Sequence, residues 1–301
     1  MNCRGPFAAF VLVLCATAVS AQDLEPRAYA AAPIGTTFLV VAGARSTGSV
    51  LTDPSLPIED VEARVGAVAV GGGTTVSLVG RTALVLGVLP IARAHAAGRV
   101  GETAGSVDRT GLGDARAKLS VNLVGGRAVG LEEFARMERP TIVGVSLSIV
   151  APTGQYDRTK LINLGAHRWA CKPEAGISHR VRQWTIEGYA GVWLFTDNDE
   201  FFTGSAIRSQ ERILAFQTHV SYTFKPRLWV AVDGTWYSGG TTTVDGVRKA
   251  DLQKNSRVGA TMSLPIGRWQ SLKFSGSTGA TTRVGSDFNT FGVAWQLSWF
   301  R

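Results

Sequence analysis

Apolar and polar side chains alternate with a period of two along most of this chain. The clearest stretch is 114–123, in which every odd position is apolar and every even position is polar or charged. Successive side chains of a β-strand point to opposite faces, so this pattern gives a strand with one apolar and one charged face. On an α-helix the same residues would spread around the whole circumference. The pattern therefore predicts a strand.

Eleven other segments carry this alternation, and each is close to the about 9–11 residues that a tilted transmembrane strand requires. The links between segments are alternately long and short, as expected for long outer loops and short periplasmic turns. Link 125–140 is the exception, and we expect it to hold a short helix that ends before Pro140. The eleven segments are 36–46, 61–72, 82–94, 141–151, 168–178, 184–195, 213–224, 228–237, 256–264, 271–279 and 289–299.

The positions of tryptophan give a third signal. All eight Trp residues except Trp295 lie near a predicted strand end or in a turn, and indole rings favour the membrane interface, where they form the girdles of outer-membrane barrels. A secreted β-sandwich or solenoid would also alternate, but it requires neither alternating link lengths nor Trp at strand ends. Unpaired strand edges are costly in hydrocarbon, so the sheet must close. The sequence therefore predicts an all-β fold, a closed antiparallel transmembrane β-barrel of about twelve strands.

Composition agrees with this fold and adds an export signal. Hydrophobic residues make up 45% of the 301 positions, and no run of 18 apolar residues follows the N-terminus, which excludes a helical membrane protein. Residues 1–21 are identified as a cleaved signal peptide, because Arg4 precedes an apolar stretch that ends in small residues. We expect 22–35 to be a periplasmic N-terminal segment and 36–301 to be a barrel in the outer membrane of a Gram-negative bacterium. Whether 22–35 plugs the barrel stays open at this point.

A recognisable set of segments runs along the whole mature chain: DLEPRAY at 23–29 with PIG at 33–35, PTGQYD at 152–157, RWACKPE at 168–174, FTDNDEFF at 195–202 and TTVDG at 242–246. Together they resemble the bacterial outer-membrane transporter family labelled "putative MetA-pathway of phenol degradation". The resemblance implies an outer-membrane transporter or channel, loosely tied to the uptake of aromatic or other hydrophobic compounds. It implies neither a substrate nor any functional residue.

On each predicted strand, the alternate positions that carry polar side chains, which we call the polar parity, are expected to face the lumen. With Glu62 they comprise seven cations and five anions, an excess of two. Many of these charges should pair across the interior, because unpaired buried charges are costly. Two interpretations follow: a cross-braced, nearly closed lumen, or a narrow pathway that weakly favours anions. The candidate lumen residues are Arg64, Asp114, Arg116, Lys118, Arg168, Lys172, Glu174, Glu187, Asp233, Arg257 and Lys273.

Oxygen-bearing side chains from Asp197 to Glu200 suggest a hard-cation site, but the later Gly and Glu of a Ca²⁺ loop are missing. A solvated acidic loop is the preferred interpretation, so no metal or other cofactor is expected. Neighbouring Phe side chains are expected to fold this loop back over the barrel mouth. The candidate outer-loop residues are Asp197, Asp199, Phe201 and Phe202.

Catalytic motifs are weak. His219 has the polar parity of a strand but no acidic neighbour in the sequence, and the segment Gly144–Ser148 lacks the second Gly of a nucleophile elbow. No catalytic residue is therefore predicted. The net charge of +8 is scattered rather than clustered, so no nucleic-acid partner is expected.

The sequence as a whole favours a monomeric outer-membrane channel for the passive uptake of small solutes. Its expected partners are outer-membrane lipid, the barrel-insertion machinery and a small-molecule solute. A non-transporting structural or adhesion barrel is the alternative, and an outer-membrane lipid hydrolase is a less favoured one.

Overall fold

The computed structural model describes residues 24–52, 58–100, 103–138, 141–202 and 204–300, without the side chains of Ile58 and Val100. The predicted signal peptide, 1–21, lies outside the described residues. Seventeen strands and one helix are present in this part of the chain. They are β1 (Thr36–Leu51), β2 (Ile58–Leu78), β3 (Arg81–Val100), β4 (Thr103–Leu112), β5 (Arg116–Val124), α1 (Leu131–Arg136), β6 (Thr141–Val150), β7 (Ala170–Val181), β8 (Trp184–Phe195), β9 (Asn198–Phe201), β10 (Ala206–Gln210), β11 (Ile213–Lys225), β12 (Leu228–Gly239), β13 (Thr242–Val244), β14 (Val247–Arg248), β15 (Gln253–Pro265), β16 (Gln270–Thr281) and β17 (Gly285–Phe300).

The large sheet closes into a barrel of twelve antiparallel strands, which confirms the predicted fold. The first and last strands pair along their whole length, from Thr36 opposite Phe300 to Leu51 opposite Gly285. Strand β3 pairs with β5 in one half and with β4 in the other, so β4 and β5 act as one barrel strand interrupted by a bulge at 113–115. The ring order is β1, β2, β3, β4/β5, β6, β7, β8, β11, β12, β15, β16 and β17.

The two ends of the barrel differ, and we name them by their connections. The turn end holds both termini of the barrel and the tight turns; at one of these, Val79 and Gly80 have φ values of 50° and 72°, as a two-residue type I′ hairpin requires. Helix α1 lies at this end, in the link predicted to contain a helix. The loop end carries the long connections and a small sheet of β9, β10, β13 and β14.

The prediction that 95–113 is a loop is wrong. Strand β3 continues to Val100 and pairs with β4, with Ala96 opposite Val107 and Ile91 opposite Leu112. The hairpin extends the barrel wall at the loop end beyond the predicted strand length. Small and polar residues dominate this stretch, so its apolar–polar alternation is too weak to predict a strand. The extended conformation is held by the backbone hydrogen bonds between β3 and β4.

The outer wall is apolar in its middle and aromatic at both edges. Exposed aliphatic side chains such as Val70, Leu89 and Val232 form the middle band. Aromatic side chains border it at the turn end, where Trp184 packs edge-on against Tyr222 with ring centroids 5.0 Å apart. This is the surface that a bilayer requires of a barrel. No helix among the described residues is long and apolar enough to span a bilayer.

Candidate functional site

Ten of the eleven predicted lumen residues lie on the inner wall of the barrel or at its β4/β5 bulge. The prediction for Arg64 is wrong, because Arg64 is exposed on the outer surface, as is Glu62, while Ala63 and Val65 of the same strand line an internal cavity. Removing Arg64 and Glu62 from the predicted set takes away one cation and one anion, so the excess of two cations inside the barrel is unchanged. The ten inner residues are Asp114, Arg116, Lys118, Arg168, Lys172, Glu174, Glu187, Asp233, Arg257 and Lys273.

Residues 24–35 cross the lumen at the turn end, which answers the question that the sequence leaves open. A Cβ on Gly259 of β15 would lie 2.6 Å from Leu24 Cδ1, so these two residues are in contact. The next residue, Glu25, receives a 2.5 Å hydrogen bond from Lys118 Nζ of β5. Strands β5 and β15 are six places apart in a ring of twelve and therefore lie on opposite walls. The segment thus spans the full width of the barrel.

Two luminal glycines make room for the ring of Tyr29, which is only 1% exposed. Gly144 and Gly176 face each other across β6 and β7, and a Cβ on either would lie 2.4 or 2.3 Å from the Tyr29 ring. The hydroxyl of Tyr29 lies 3.1 Å from Ser146 Oγ and donates to Glu174 Oε1 at 3.3 Å. A bulky aromatic side chain and its polar tip are therefore both accommodated, and the segment is held by a specific socket.

Arg27 provides a second anchor for the segment. Its backbone N–H donates to Glu187 Oε2 at 2.8 Å, and its guanidinium donates to Ser221 at 3.1 Å and to Thr223 at 2.6 Å. The same guanidinium lies 4.5 Å from the ring centroid of Trp229. The Trp229 side chain points inward, so its indole serves the N-terminal segment and not the membrane girdle.

Charge pairs fill this half of the lumen. The ammonium of Lys118 beside Glu25 lowers the pKa of that carboxyl to about 2, so the pair stays ionised well below neutral pH. On the neighbouring wall, Lys172 Nζ lies 2.9 Å from Glu174 Oε2, and both side chains are almost fully buried. The cross-braced lumen considered in the sequence analysis describes this half of the barrel.

A buried His–Asp pair is a lumen feature that sequence reasoning missed. His219 Nδ1 and Asp233 Oδ1 are 2.7 Å apart, and Thr261 Oγ1 donates to the other oxygen of Asp233 at 2.7 Å. His219 has no acidic neighbour in the sequence, but Asp233 is its direct partner across β11 and β12. His219 and Asp233 are equally distant from the turn at 225–227. Residues at equal distances from a tight turn face each other in a hairpin, so this spacing would have revealed the pair.

The loop-end half of the lumen is lined mainly by apolar side chains. Two clusters lie on its walls, one with Val50, Ala63 and Phe288 and the other with Val150 and Trp193. Between them is a cavity of about 180 Å³, whose lining combines these side chains with small residues of β3. The luminal wall here is therefore quite unlike the charged half. The small residues are Ala92, Ala94 and Ala96.

Loop 152–167 folds inward and covers this cavity. Ile162 packs against the first cluster, and its carbonyl accepts a 2.8 Å hydrogen bond from Arg109 Nε. Asp114, at the β4/β5 bulge, fixes both ends of the loop: its two oxygens accept bonds from the N–H groups of Gly154 and Ala166, each at 2.8 Å. A predicted lumen charge is thus the anchor of a loop.

Two luminal arginines lie at the cavity. Arg168 stacks on the ring of Phe195, 4.4 Å from its centroid, and donates to Gln210. Arg116 lines the same cavity, between Val88 and Val150 of the neighbouring strands. Nearer the turn end Lys273 is exposed to the lumen, whereas Lys118 and Lys172 on the facing walls are buried. Open space therefore remains along β16, beside the N-terminal segment.

The predicted acidic outer loop is partly ordered as strand β9 of the small sheet. Phe201 is buried there, with the guanidinium of Arg208 5.2 Å from its ring centroid, and Phe202 is half-buried. Asp197 and Asp199 are exposed. Within the described part of the chain, no group of three or more His, Cys, Asp or Glu side chains is placed to hold a metal ion.

The comparisons with known proteins agree with this architecture. A family profile described as "Putative MetA-pathway of phenol degradation" matches residues 47–297. A search of the curated proteins finds no significant match.

Three solved structures are similar in fold. The COG4313 outer membrane channel from Pseudomonas putida F1 superposes with a TM-score of 0.79 at 20% identity, over 92% of this chain and all of the other. The transport unit of the Escherichia coli autotransporter AIDA-I gives a TM-score of 0.53 at 9% identity, over 95% of each chain. The beta domain of the Bordetella autotransporter Brka gives 0.51 at 13%, over 88% of this chain and all of the other.

Proposed function

This chain belongs to the family described as "Putative MetA-pathway of phenol degradation", and from that premise we propose that it is an outer-membrane channel for the passive entry of small solutes, apolar and aromatic compounds among them. Its turn end faces the periplasm and its loop end faces the medium. The protein acts without catalysis, and it selects solutes by the shape and polarity of the lumen.

The observation that carries this proposal is the apolar cavity beneath loop 152–167. A lumen that only holds water and ions has no need of an apolar wall, because such a wall disfavours both. Here Val150 and Trp193 face Val50 and Phe288 across about 180 Å³ of space. An apolar solute that enters from the medium gains from removing its surface, and that of the wall, from water.

The charged half of the lumen then controls the exit. The N-terminal segment occupies the walls from β5 to β15, and Lys273 of β16 marks the more open side. A solute leaving the cavity either passes along β16 or waits for the segment to move. Weak selectivity for anions follows from the excess of two cations among the predicted residues that lie inside.

A catalytic role has little support from the lumen. The His219–Asp233 pair resembles the base and its orienting acid in a hydrolase, but such a pair needs a nucleophile on the other ring nitrogen. Among the described residues no side chain is hydrogen-bonded to His219 Nε2. The pair more simply satisfies two buried polar groups.

Permeation of matched solutes through proteoliposomes tests the channel. The mature protein is reconstituted, and the entry of phenol-sized aromatic solutes is compared with that of sugars of similar size. After subtraction of the entry into protein-free liposomes, which phenol-sized solutes also cross, we expect aromatic solutes to enter faster. A variant that fills the cavity, Ala94→Phe, should slow the entry of aromatic solutes, while Ala190→Phe, which adds the same ring to the exposed outer wall, should not.

The possible outcomes separate the candidate functions. If neither solute class crosses and no ion conductance is seen, the barrel is a structural or adhesion element. If Ala94→Phe and Ala190→Phe behave alike, the cavity does not lie on the path and the proposal fails in its main argument.

A further inference from the structure

Three arginines project from the outer wall on neighbouring strands. Arg45 of β1 and Arg93 of β3 are both direct partners of Gly66 on β2, so the three residues form one row across the wall. Arg64 lies two residues further along β2 on the same face. All three arginines are exposed. With strands about 4.8 Å apart, the Cα atoms of Arg45 and Arg93 are about 10 Å apart, and the Cα atom of Arg64 is about 7 Å from that of Gly66. We call Arg45, Arg64 and Arg93 the arginine row.

The arginine row lies just beyond the apolar band, on the loop-end side. Below it on the same outward face are Val41 of β1, Val68 of β2 and Ile91 of β3, all exposed. Arginine on the lipid face is costly at the bilayer centre, and the cost falls to about 0–1 kcal/mol near the interface. The row therefore sits at the depth of the lipid headgroups of the outer leaflet.

The acidic side chains near the row have other partners. Asp108 lies 3.2 Å from His95, Asp60 lies 3.7 Å from Arg99, and Glu62 accepts a 3.3 Å hydrogen bond from Ser49. Within the described residues no ion pair involves an arginine of the row. Glu62 keeps its charge, because a serine hydroxyl does not neutralise it, but the three arginines outnumber it and their guanidinium groups are available to an external anion.

Gly66 leaves a recess between Arg45 and Arg93. A Cβ on this glycine would meet no atom within 4 Å, and the residue is exposed. An anionic group can enter this recess between Arg45 and Arg93. Because guanidinium offers paired donors to phosphate oxygens, arginine binds phosphate with defined geometry where lysine acts only as a point charge.

Elsewhere on the wall exposed cations at this height are more widely spaced. On four other strands the first outward polar residue beyond the apolar band is uncharged, although Lys254 lies beside one of them, Ser238. The sector of Arg45, Arg64 and Arg93 therefore carries three arginines on adjacent strands, a local concentration of charge that suits a ligand with more than one anionic group. The four residues are Ser238, Ser256, Thr278 and Asn289.

We propose that the arginine row binds the phosphate groups of the lipid A headgroup of lipopolysaccharide, with one phosphate in the recess at Gly66. This inference rests on the outer-membrane location proposed above, but it is independent of transport. Lipid A carries two phosphates on a disaccharide at the outer leaflet. Three arginines spread over about 10 Å can contact both of them.

Binding of defined lipids to the purified mature barrel tests the proposal. Native mass spectrometry measures the fraction of barrels that retain bisphosphorylated lipid A, dephosphorylated lipid A or phosphatidylglycerol. The charge variant is R45Q/R64Q/R93Q, and its control is R182Q/K225Q/R268Q, which removes three exposed cations at the turn end. The shape variant is Gly66→Leu, and its control is Gly188→Leu, where a Cβ also meets nothing within 4 Å.

We expect the charge variant to weaken binding of bisphosphorylated lipid A roughly tenfold or more, since hydrogen bonds to charged groups are lost, and Gly66→Leu to weaken it less. Both controls should bind like the parent. Equal losses in a variant and its control would overturn the proposal, as would equal binding of dephosphorylated lipid A or phosphatidylglycerol.

Heat-modifiable electrophoretic mobility shows that each variant is folded. Conductance in phospholipid bilayers without lipopolysaccharide should be the same for the charge variant and the parent. The proposal of a lipid site and the proposal of a channel are thus tested independently, because each can be contradicted without the other.

Discussion

At the scale of single residues, the absence of side chains at two positions decides what the lumen can hold. Gly144 and Gly176 are opposed on β6 and β7, and the Tyr29 ring occupies the space that their Cβ atoms would take. In the sequence these glycines look like ordinary interruptions of a strand. Their role depends on a side chain more than a hundred residues away, and no local pattern reveals it.

Gly176→Ala should therefore release the N-terminal segment. The new Cβ would lie 2.3 Å from Tyr29 and 2.6 Å from Tyr189, and overpacking of this kind costs about 1–3 kcal/mol. The cheapest relief is for Tyr29 to leave its socket, because the segment is held by side-chain contacts and not by a sheet. We expect higher single-channel conductance and faster tryptic cleavage after Arg27.

The matched control is Gly188→Ala, since a Cβ at Gly188 meets nothing within 4 Å. It should leave conductance and cleavage unchanged. Equal conductance of Gly176→Ala and Gly188→Ala in folded barrels would show that the socket does not hold the segment.

At the scale of single elements, the sequence predicts the twelve barrel strands and their faces wherever a strand lies within the bilayer. It fails where a strand leaves the bilayer. On β2 the apolar residues near the middle, Val68 and Val70, face outward, but further along Val61, Ala63 and Val65 face inward. The apolar parity changes between Val68 and Val65, where the pairing is regular; the irregularity of β2 lies further along, between Glu59 and Glu62. The cause is a change of surroundings, since water replaces lipid outside the barrel and an apolar cavity replaces the charged lumen inside.

This exchange explains the error over Arg64. The rule that polar residues face the lumen holds only beside hydrocarbon, and Arg64 lies beyond it. The same change occurs on β3, where Leu89 and Ile91 face outward and Ala94 and Ala96 face inward. A change of apolar parity within one strand is thus a sequence signal for the membrane boundary, and it also marks the start of the cavity.

Asp114→Ala tests the element that covers this cavity. Both oxygens of Asp114 accept backbone N–H groups of loop 152–167, and leaving a buried donor unsatisfied costs about 1–3 kcal/mol. We expect the loop to open more often, with faster hydrogen exchange in 152–167 and faster solute entry. Asp197→Ala removes an exposed carboxylate from the neighbouring loop and should change neither quantity. Unchanged exchange in Asp114→Ala would mean that the loop is held by its other contacts, such as the packing of Ile162 and the hydrogen bond from Arg109 to its carbonyl.

At the scale of the whole molecule, the lumen has two halves of opposite character, and the sequence predicts only one of them. The charged half follows from the polar parity of β5, β7 and β12. The N-terminal segment that completes this half could not be predicted, because its anchoring partners are distant in the sequence: Lys118 lies 93 residues from Glu25, and Thr223 lies 196 residues from Arg27. Strand alternation fixes the faces of a wall but gives no information on what occupies the space inside.

Conductance and selectivity should therefore respond to different parts of the molecule. Among the residues described, the segment from 24 to 35 carries one acid, Glu25, and one base, Arg27. Its deletion widens the lumen without changing the net charge, so we expect larger conductance and a nearly unchanged reversal potential in a salt gradient.

Neutralising the wall should have the opposite effect. In R116Q/K118Q two luminal cations are lost and Glu25 loses its partner, so the reversal potential should shift towards cation preference. Arg64→Gln is the matched control, because this arginine lies on the outer surface and its loss should not move the reversal potential. A clear cation preference in the parent, or an equal shift in Arg64→Gln, would contradict an electrostatic role for the luminal wall. Together, the results for the segment deletion, R116Q/K118Q and Arg64→Gln decide whether ions pass through the lumen along its charged wall.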